Sequence, residues 1–332
     1  MSSPLISVLL PVRNGGDYLS AAVASILDQS ESDLELLLID DHSSDRAIEN
    51  LEFGDTRLRV LQNKGQGIVN ALNTGLQEAH GEFVARMDAD DISLPHRFRA
   101  QLDYLLENPD VAIVGGKVEI FSAAGIAGGF RRYQDWINGL TERPDIHREI
   151  FIECPLPHPT VFMPRSTLLT LQGYRDRAWA EDYDLLLRAD AAGLGMGKPD
   201  SVLLRWRDHP DRLSRTESRY ANEQFLEAKA HFLSKTRIQG RDVLIWGAGP
   251  TGRTLHDALI RQGANILAFL EVHPRRIGGL KRDQPVLHFE RVSEYPDALV
   301  LVAVGVPSAR DEIRSYLLDV GMVEGESFVF VA

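Results

Sequence analysis

Phe83-Val84-Ala85-Arg86-Met87-Asp88-Ala89-Asp90-Asp91 places apolar or small side chains at Phe83, Val84, Ala85, Met87 and Ala89 and ends in a cluster of aspartates. It reads as the end of a buried strand, residues 82–87, that delivers acids at its carboxyl end. Side chains alternate faces along an extended backbone. Asp88 and Asp90 are therefore expected on one side, with little Ala89 between them. Neighbouring carboxylates repel, and a hard divalent cation that holds a phosphate is the usual counter-charge. The same residues also read as a helix start, with Asp91 or Ser93 capping the helix that Pro95 opens. Asp-x-Asp alone does not choose between the two.

Outward from this run, strands and helices alternate. Residues 5–12 are continuously apolar, as in a strand buried on both faces of a parallel sheet, and end in the turn Pro11-Val12-Arg13-Asn14-Gly15-Gly16. Asp17 is placed to cap a helix whose Leu19, Ala22, Val23, Ile26 and Leu27 follow helical spacing. Residues 34–39 are a second strand, ending in Asp40-Asp41-His42-Ser43-Ser44-Asp45, and residues 57–61 a third. Residues 65–80 read as a helix. This order predicts an open α/β sheet, in which ligands bind beyond the carboxyl ends of the strands. The polar clusters all lie there.

Further on, residues 94–107 read as a helix, 111–121 as a strand pair or one long strand, and 122–143 as loops. The turn Pro155-Leu156-Pro157-His158-Pro159 leads into a strand at 160–163. A helix at 182–192 and a strand at 202–206 follow. Residues 217–235 read as one polar helix joining two domains.

The length of 332 residues suits two domains. A net charge of −12 argues against broad nucleic-acid binding. Cys154 is the only cysteine, so no internal disulfide can form, which fits a reducing compartment. No run approaches the roughly 18 apolar residues of a membrane span, and the amino terminus lacks the pattern of a signal peptide. A cytoplasmic protein is expected.

Several residues carry two readings. Asp40 and Asp41 can accept hydrogen bonds from a base or ribose, or belong to a capping cluster. Arg13 and Lys64 can neutralise a diphosphate, Arg as a fork and Lys as a point charge, or simply be solvated. Glu181-Asp182 suits the positive end of a helix, or supplies a general base within about 3 Å of an acceptor hydroxyl. His158 and His209 are ligands or structural residues.

The runs Ile6-Ser7-Val8-Leu9-Leu10-Pro11-Val12-Arg13-Asn14, Asp40-Asp41-x-Ser43-x-Asp45, Asn63-x-Gly65 with Asn73-x-Gly75, Met87-Asp88-Ala89-Asp90-Asp91 and Glu181-Asp182-Tyr183-Asp184-Leu185 together resemble the family 2 glycosyltransferases of the GT-A fold. The match covers about residues 4–215. One such motif is weak; the ordered set is specific. The resemblance implies inverting transfer of a sugar from a nucleotide-diphosphate donor, UDP being the commonest, to a hydroxyl of a glycan or lipid-linked acceptor in bacterial surface polysaccharide synthesis. It implies that Pro11, Arg13, Asn14, Asp40, Asp41 and Lys64 line the donor site together with Asp88, Ala89 and Arg207. Asp88 and Asp90 would hold Mn2+ or Mg2+, with His209 in the same later basic motif as Arg207. Asp182 would be the base, beside Glu181. Peripheral association with the inner face of the membrane and homo-oligomerisation are both compatible with such a role.

The domain boundaries expected are 1–216 for the transferase, 217–239 for a helical linker and 240–332 for a small Rossmann-like domain. In the last, Gly247-x-Gly249-x-x-Gly252 follows a strand and opens a helix, and Glu271 ends the next strand. A nucleotide or NAD can bind such a loop. The domain resembles the amino-terminal domains of bacterial sugar O-acyltransferases in Gly247-Ala248-Gly249 and Val302-Ala303-Val304-Gly305. Its alternatives are a binding module and a structural or dimerising one. For the whole chain, the readings set against a transferase are a non-catalytic nucleotide-sugar binding or scaffold protein and an NAD-linked oxidoreductase.

Overall fold

Both faces of β1 (Ile6–Val12) are covered, which is why nearly every position in it is apolar and buried. It pairs in parallel with β2 (Leu34–Asp40), and β2 pairs in parallel with β3 (Leu58–Gln62). On its other side β1 pairs in parallel with β4 (Phe83–Arg86). Helices α1 (Leu19–Leu27) and α2 (Ile68–Glu78) make the connections. The structure is a computed structural model that describes residues 3–52, 54–123, 125–126 and 128–332. Met1 and Ser2 of the amino-terminal reading, and Ala124 and Ala127 of the expected 122–143 loop, lie outside the described residues.

The described chain divides into two compact units. The first takes in residues up to 146, 155–177 and 184–216. After β4 come β5 (Ile92–Ser93), α3 (Arg97–Glu107), β6 (Val111–Val114), β7 (Lys117–Phe121), α4 (Gly128–Gly139) and α5 (Arg143–Glu149). Then follow β8 (Phe162–Pro164), α6 (Arg165–Thr170), α7 (Glu181–Ala191), β9 (Gly195–Gly197), β10 (Val202–Arg207) and α8 (Leu213–Thr216). The main sheet has the order β3-β2-β1-β4-β8-β6-β9, with β8 antiparallel to its neighbours. A second sheet, β5-β10-β7, carries β10 back towards the end of β4. This mixed α/β arrangement is the one expected of the GT-A fold.

Of the two readings of residues 111–121, the structure has two strands rather than one; they lie in different sheets, and Gly115 and Gly116 between them pass close to Leu156 and Leu203. Two local expectations are corrected. Residues 128–139 are helix α4, not loop. Asn138 donates to Val118 O (2.8 Å) and accepts from Val118 N (2.9 Å), and Gln134 accepts from Ile120 N (2.7 Å). Side-chain amides thus take the place of a neighbouring strand at the edge of β7, a tertiary bond set that a periodicity reading does not register. The capping roles also fail. Asp17 makes no cap to α1, and the residue before α3 is His96, not Asp91 or Ser93.

The second unit comprises residues 147–154, 178–183 and 217–332. Its helix α9 (Asn222–Leu233) continues into a π-helical turn, Ser234–Ile238. Leu226, Ala228, Ala230, Phe232 and Leu233 are buried, so this helix is amphipathic and packs against its own unit. Residues 217–239, expected as a linker, fold with it. The sheet that follows contains β11 (Val243–Trp246), β12 (Ile266–Glu271), β13 (Leu280–Lys281), β14 (Gln284–His288), β15 (Leu299–Val302) and β16 (Phe328–Phe330). Its order is β13-β14-β12-β11-β15-β16, parallel except for β13, with α10 (Pro250–Arg261) and α11 (Pro307–Asp319) as crossovers. The β13–β14 hairpin had no counterpart in the sequence reading. No described helix is long and apolar enough to cross a membrane.

Lys229, buried on α9, donates to Ile152 O (2.8 Å) and Val331 O (3.0 Å). Burial pulls its pKa down to about 8, against a smaller opposing pull from Glu153. A folded pKa below the unfolded one means that the unfolded chain holds the proton more tightly. Stability should therefore rise with pH between about 8 and 10.5, by about 3 kcal/mol from this group. Denaturant titrations of wild type and Lys229→Met across that window test this. A difference between the two proteins that stays constant with pH would refute it.

Candidate active site

β4 ends at Arg86, and Met87 N still donates to Leu9 O (3.0 Å) before the chain turns through Asp88 and Asp90. The turn, rather than strand alternation alone, brings the acids together. Carboxylate oxygens of Asp88, Asp90 and Asp91 lie within 4.8 Å of one another. Asp91 is 1% exposed, whereas Asp88 and Asp90 are half-buried. Asp91 accepts from Arg207 N (2.7 Å) through Oδ1, and its Oδ2 is buried without a hydrogen-bond partner among the described residues. Burial, and then the charges of Asp88 and Asp90, push the Asp91 carboxyl well above its ordinary value. Burial raises Asp88 as well, against the opposing pull of Arg86.

Two buried cations stand behind the acids. Arg86 pairs with Asp88. Arg97, fully buried at the start of α3, donates to Arg86 O (2.8 Å) and to Gln101 Oε1 (3.2 Å). Burial, with Arg86 close by, lowers its pKa to about 9. Sequence reading passed over both. Arg86 had a signal, since a lone cation in an apolar strand requires a partner and Asp88 stands two positions on, on the same face. Arg97 had none.

From the other side comes the end of β10. Arg207 Nε donates to Asp90 O (2.7 Å), and its guanidinium lies over the rings of Tyr18 (4.2 Å) and Phe121 (4.5 Å). His209 Nε2 lies 2.7 Å from Asp90 Oδ2, with its ring 5.4 Å from that of Tyr18. Asp88, Ala89, Asp90, Arg207 and His209 are thus one cluster. Its donors suit a hard divalent cation: oxygen ligands close together, one of them buried and unsatisfied, with like-charge repulsion for a cation to relieve.

At the neighbouring strand ends, the register sets Val12 opposite Asp40 and Asp40 opposite Gln62. Asn14, in the left-handed region (φ 57°), donates through its N–H to Ser43 Oγ (3.0 Å) and accepts from Ser44 N (2.8 Å). This fastens the β1 turn to the β2 turn. Burial raises Asp40, but hydrogen bonds from Ser43 and Gln62 outweigh it and leave the carboxyl below its ordinary value. Asp41 is buried. It accepts from Asn63 Nδ2 (2.6 Å) and from the N–H of Gly67 (3.0 Å), a residue at φ 85° that favours glycine. Asp41 shapes the 63–67 loop, and Asn63 is a site-building residue that the sequence reading gave no separate role. Lys64 is exposed and pairs with Glu78 (3.1 Å); Arg13 is exposed and Pro11 half-buried.

Glu181 and Asp182 open α7 and are described with the second unit. Glu181 is 1% exposed and accepts from Tyr220 OH at 3.1 and 2.9 Å, with Arg219 at 4.0 Å. Tyr183 OH donates to Ile150 O (2.7 Å). Between these buried neighbours, Asp182 keeps partial exposure, and its Oδ1 accepts from Tyr183 N (2.6 Å). Of the acid pair, Asp182 is the more exposed.

His158 is buried with Nε2 3.2 Å from Tyr174 OH, and burial together with nearby Arg86 holds its pKa well below the ordinary value. That environment fits a neutral structural histidine. In the second unit, Gly247 sits at φ 112°, and a Cβ on Gly252 would lie 1.9 Å from Gly247 O, so strand and helix meet too closely there for any side chain. A Cβ on Gly249 would meet open space. Glu271 accepts from Val272 N (2.9 Å), His273 N (3.2 Å) and Arg276 Nη1 (3.0 Å).

Comparison with known proteins agrees with this arrangement. A glycosyltransferase of Haemophilus influenzae without further characterisation is 31% identical over 235 residues, 68% of this chain and 71% of that protein. The Escherichia coli UDP-Glc:alpha-D-GlcNAc-diphosphoundecaprenol beta-1,3-glucosyltransferase WfgD is 36% identical over 132 residues, 39% of this chain and 52% of that protein. The crystal structure of S. aureus TarS residues 1–349 with UDP-GlcNAc superposes at a TM-score of 0.56 with 17% identity, covering 70% of this chain and 67% of that one. The profile of Glycosyl transferase family 2 matches residues 7–169, the segment that contains β1 and the aspartate turn. With the strand order, the acidic turn and these relatives in agreement, the chain belongs to glycosyl transferase family 2.

Proposed function

We propose that the protein transfers a sugar from a nucleoside diphosphate to a hydroxyl of a glycan or lipid-linked acceptor, with inversion at the anomeric carbon, in surface polysaccharide synthesis. The observation that carries this reading is the convergence of Asp88, Asp90 and Asp91 within 4.8 Å, with His209 2.7 Å from Asp90. Asp88 and Asp90, with His209 beside them, would hold Mn2+ or Mg2+. When bound, such a cation supplies Lewis-acid stabilisation of charge on the diphosphate. Pro11, Arg13, Asn14 and Asp40 form the edge that receives the nucleoside, Asp41 supports it by shaping the 63–67 loop, and Lys64 could turn to the donor by giving up Glu78. Asp182 takes the acceptor proton, and buried Glu181 holds the start of α7 that presents it. The name of the Escherichia coli relative gives a UDP-glucose donor and a diphosphoundecaprenol-linked acceptor. Both support a UDP donor and a lipid-linked acceptor for this chain.

The second unit has one feature of its own that favours a ligand. The Gly247 turn is close-packed under Gly252 yet open at Gly249, where an anion can approach the start of α10. A nucleotide there is a secondary reading, and Glu271 could serve a ribose only by giving up Arg276.

Thermal unfolding against a panel of nucleoside diphosphates and their sugars, with and without Mn2+, and against NAD, tests both. One nucleoside diphosphate should stabilise the protein in a Mn2+-dependent manner, by about 2.7 kcal/mol at 100 times its Kd. Stabilisation by NAD alone would place the ligand in the second unit and sink the transferase reading.

A further inference from the structure

The segment from β10 to α8 carries Arg205, Arg207, Arg212 and Arg215. Arg205 pairs with Glu119 (3.2 Å), Arg207 donates to Asp90 O, and Arg215 pairs with Asp208 (2.6 Å). Arg212 differs. Its guanidinium lies 4.6 Å from the centroid of the Trp206 ring, and among the described residues no carboxylate or carbonyl accepts from it. Trp206 is itself braced by Tyr133, with ring centroids 6.2 Å apart. Arg212 N donates to His209 O (3.4 Å), so the two side chains leave one tight turn. His209 Nε2 in turn lies 2.7 Å from Asp90 Oδ2, which sets the turn that carries Arg212 beside the acidic one.

A guanidinium held on an aromatic face keeps its orientation and leaves its N–H fork unspent. That fork matches a phosphate group in two parallel hydrogen bonds. Its placement has a further consequence. A fixed cation beside the acidic turn repels a divalent metal that arrives alone, and attracts a metal that arrives with a diphosphate.

We propose that Arg212 binds the donor diphosphate and stabilises it as the leaving group. This rests on the transferase reading above and adds a residue to it. In the transfer, the acceptor oxygen forms a bond to the anomeric carbon as the bond from that carbon to the diphosphate oxygen breaks. The acceptor proton passes to Asp182. The electron pair stays on the departing diphosphate, where Arg212 meets it.

The test uses the full chain as wild type, Arg212→Met and Arg212→Lys. Titration calorimetry follows Mn2+ alone, then UDP and GDP in saturating Mn2+. In Arg212→Met, the nucleoside diphosphate that wild type binds should bind about ten- to a hundredfold more weakly. Mn2+ alone should bind as tightly as in wild type or more tightly. Arg212→Lys, which keeps charge but loses the fork, should fall between them. A residue with only a structural role would weaken metal and diphosphate together, and that outcome overturns the proposal. So does an unchanged diphosphate affinity in Arg212→Met. Failure of wild type to bind either diphosphate would instead strike the transferase reading itself.

Discussion

Asp182→Asn should lower kcat by about 10²–10⁴-fold, the usual contribution of a positioned general base, and leave donor affinity near that of wild type. The substitution keeps the shape of the side chain. Its neighbours are tied independently, Glu181 to Tyr220 and Tyr183 to Ile150 O, so the first turn of α7 should hold its course. An amide can still accept from Tyr183 N, as Asp182 Oδ1 does. What it cannot do is take a proton from an acceptor hydroxyl near neutral pH. Steady-state kinetics with a donor and acceptor, alongside calorimetry of the nucleoside diphosphate, separates the two properties. Turnover near that of wild type would remove Asp182 from the role of base.

Asp90→Ala should abolish both turnover and the Mn2+-dependent stabilisation by a nucleoside diphosphate. Asp90 is joined to the rest of the cluster twice. Its carbonyl receives Arg207 Nε, and its carboxylate meets His209. Truncation spares the carbonyl contact and removes only the carboxylate, so Arg207 should keep its place over Tyr18 and Phe121. Without ligands, the variant should unfold no earlier than wild type, because one of the like charges that raise Asp91 is gone. Melting curves with and without Mn2+ and nucleotide read both effects. A variant that still responds to Mn2+ plus nucleotide would exclude Asp90 as a ligand. One that melts much earlier without them would mark it as structural instead.

Much of the first unit was legible in the sequence because buried parallel strands announce themselves. Residues 5–12 and 34–39 are apolar on both faces except at Ser7 and Glu35, and the structure places the two stretches side by side with Ser7 donating to Glu35 (2.7 Å). The acidic turn was legible for the same reason, as an abrupt change from apolar to acidic at a strand end. What escaped depends on contacts that only the assembled fold makes. Helix α4 is held by Asn138 and Gln134 acting on the edge of β7, which no local pattern encodes. Asp41 looked like a free acceptor, yet its oxygens are committed to Asn63 and Gly67, more than twenty positions away. Arg97 is buried beneath the aspartates through bonds to a main-chain carbonyl and a glutamine. Burial of that kind is a property of the assembled core and leaves no mark in the order of residues.

The bonds around Glu181 also bear on how the protein is made. A nascent chain reaches Asp182 before Tyr220, and Arg219 comes out with Tyr220. Until that later stretch clears the ribosome, the buried Glu181 lacks the hydroxyl that it accepts from, and the segment around Asp182 has one of its fastenings missing. A cut after residue 216, at the boundary that composition suggests, would make that interim condition permanent. The residues that fasten Glu181 are thus synthesised after the sheet that carries the aspartate turn.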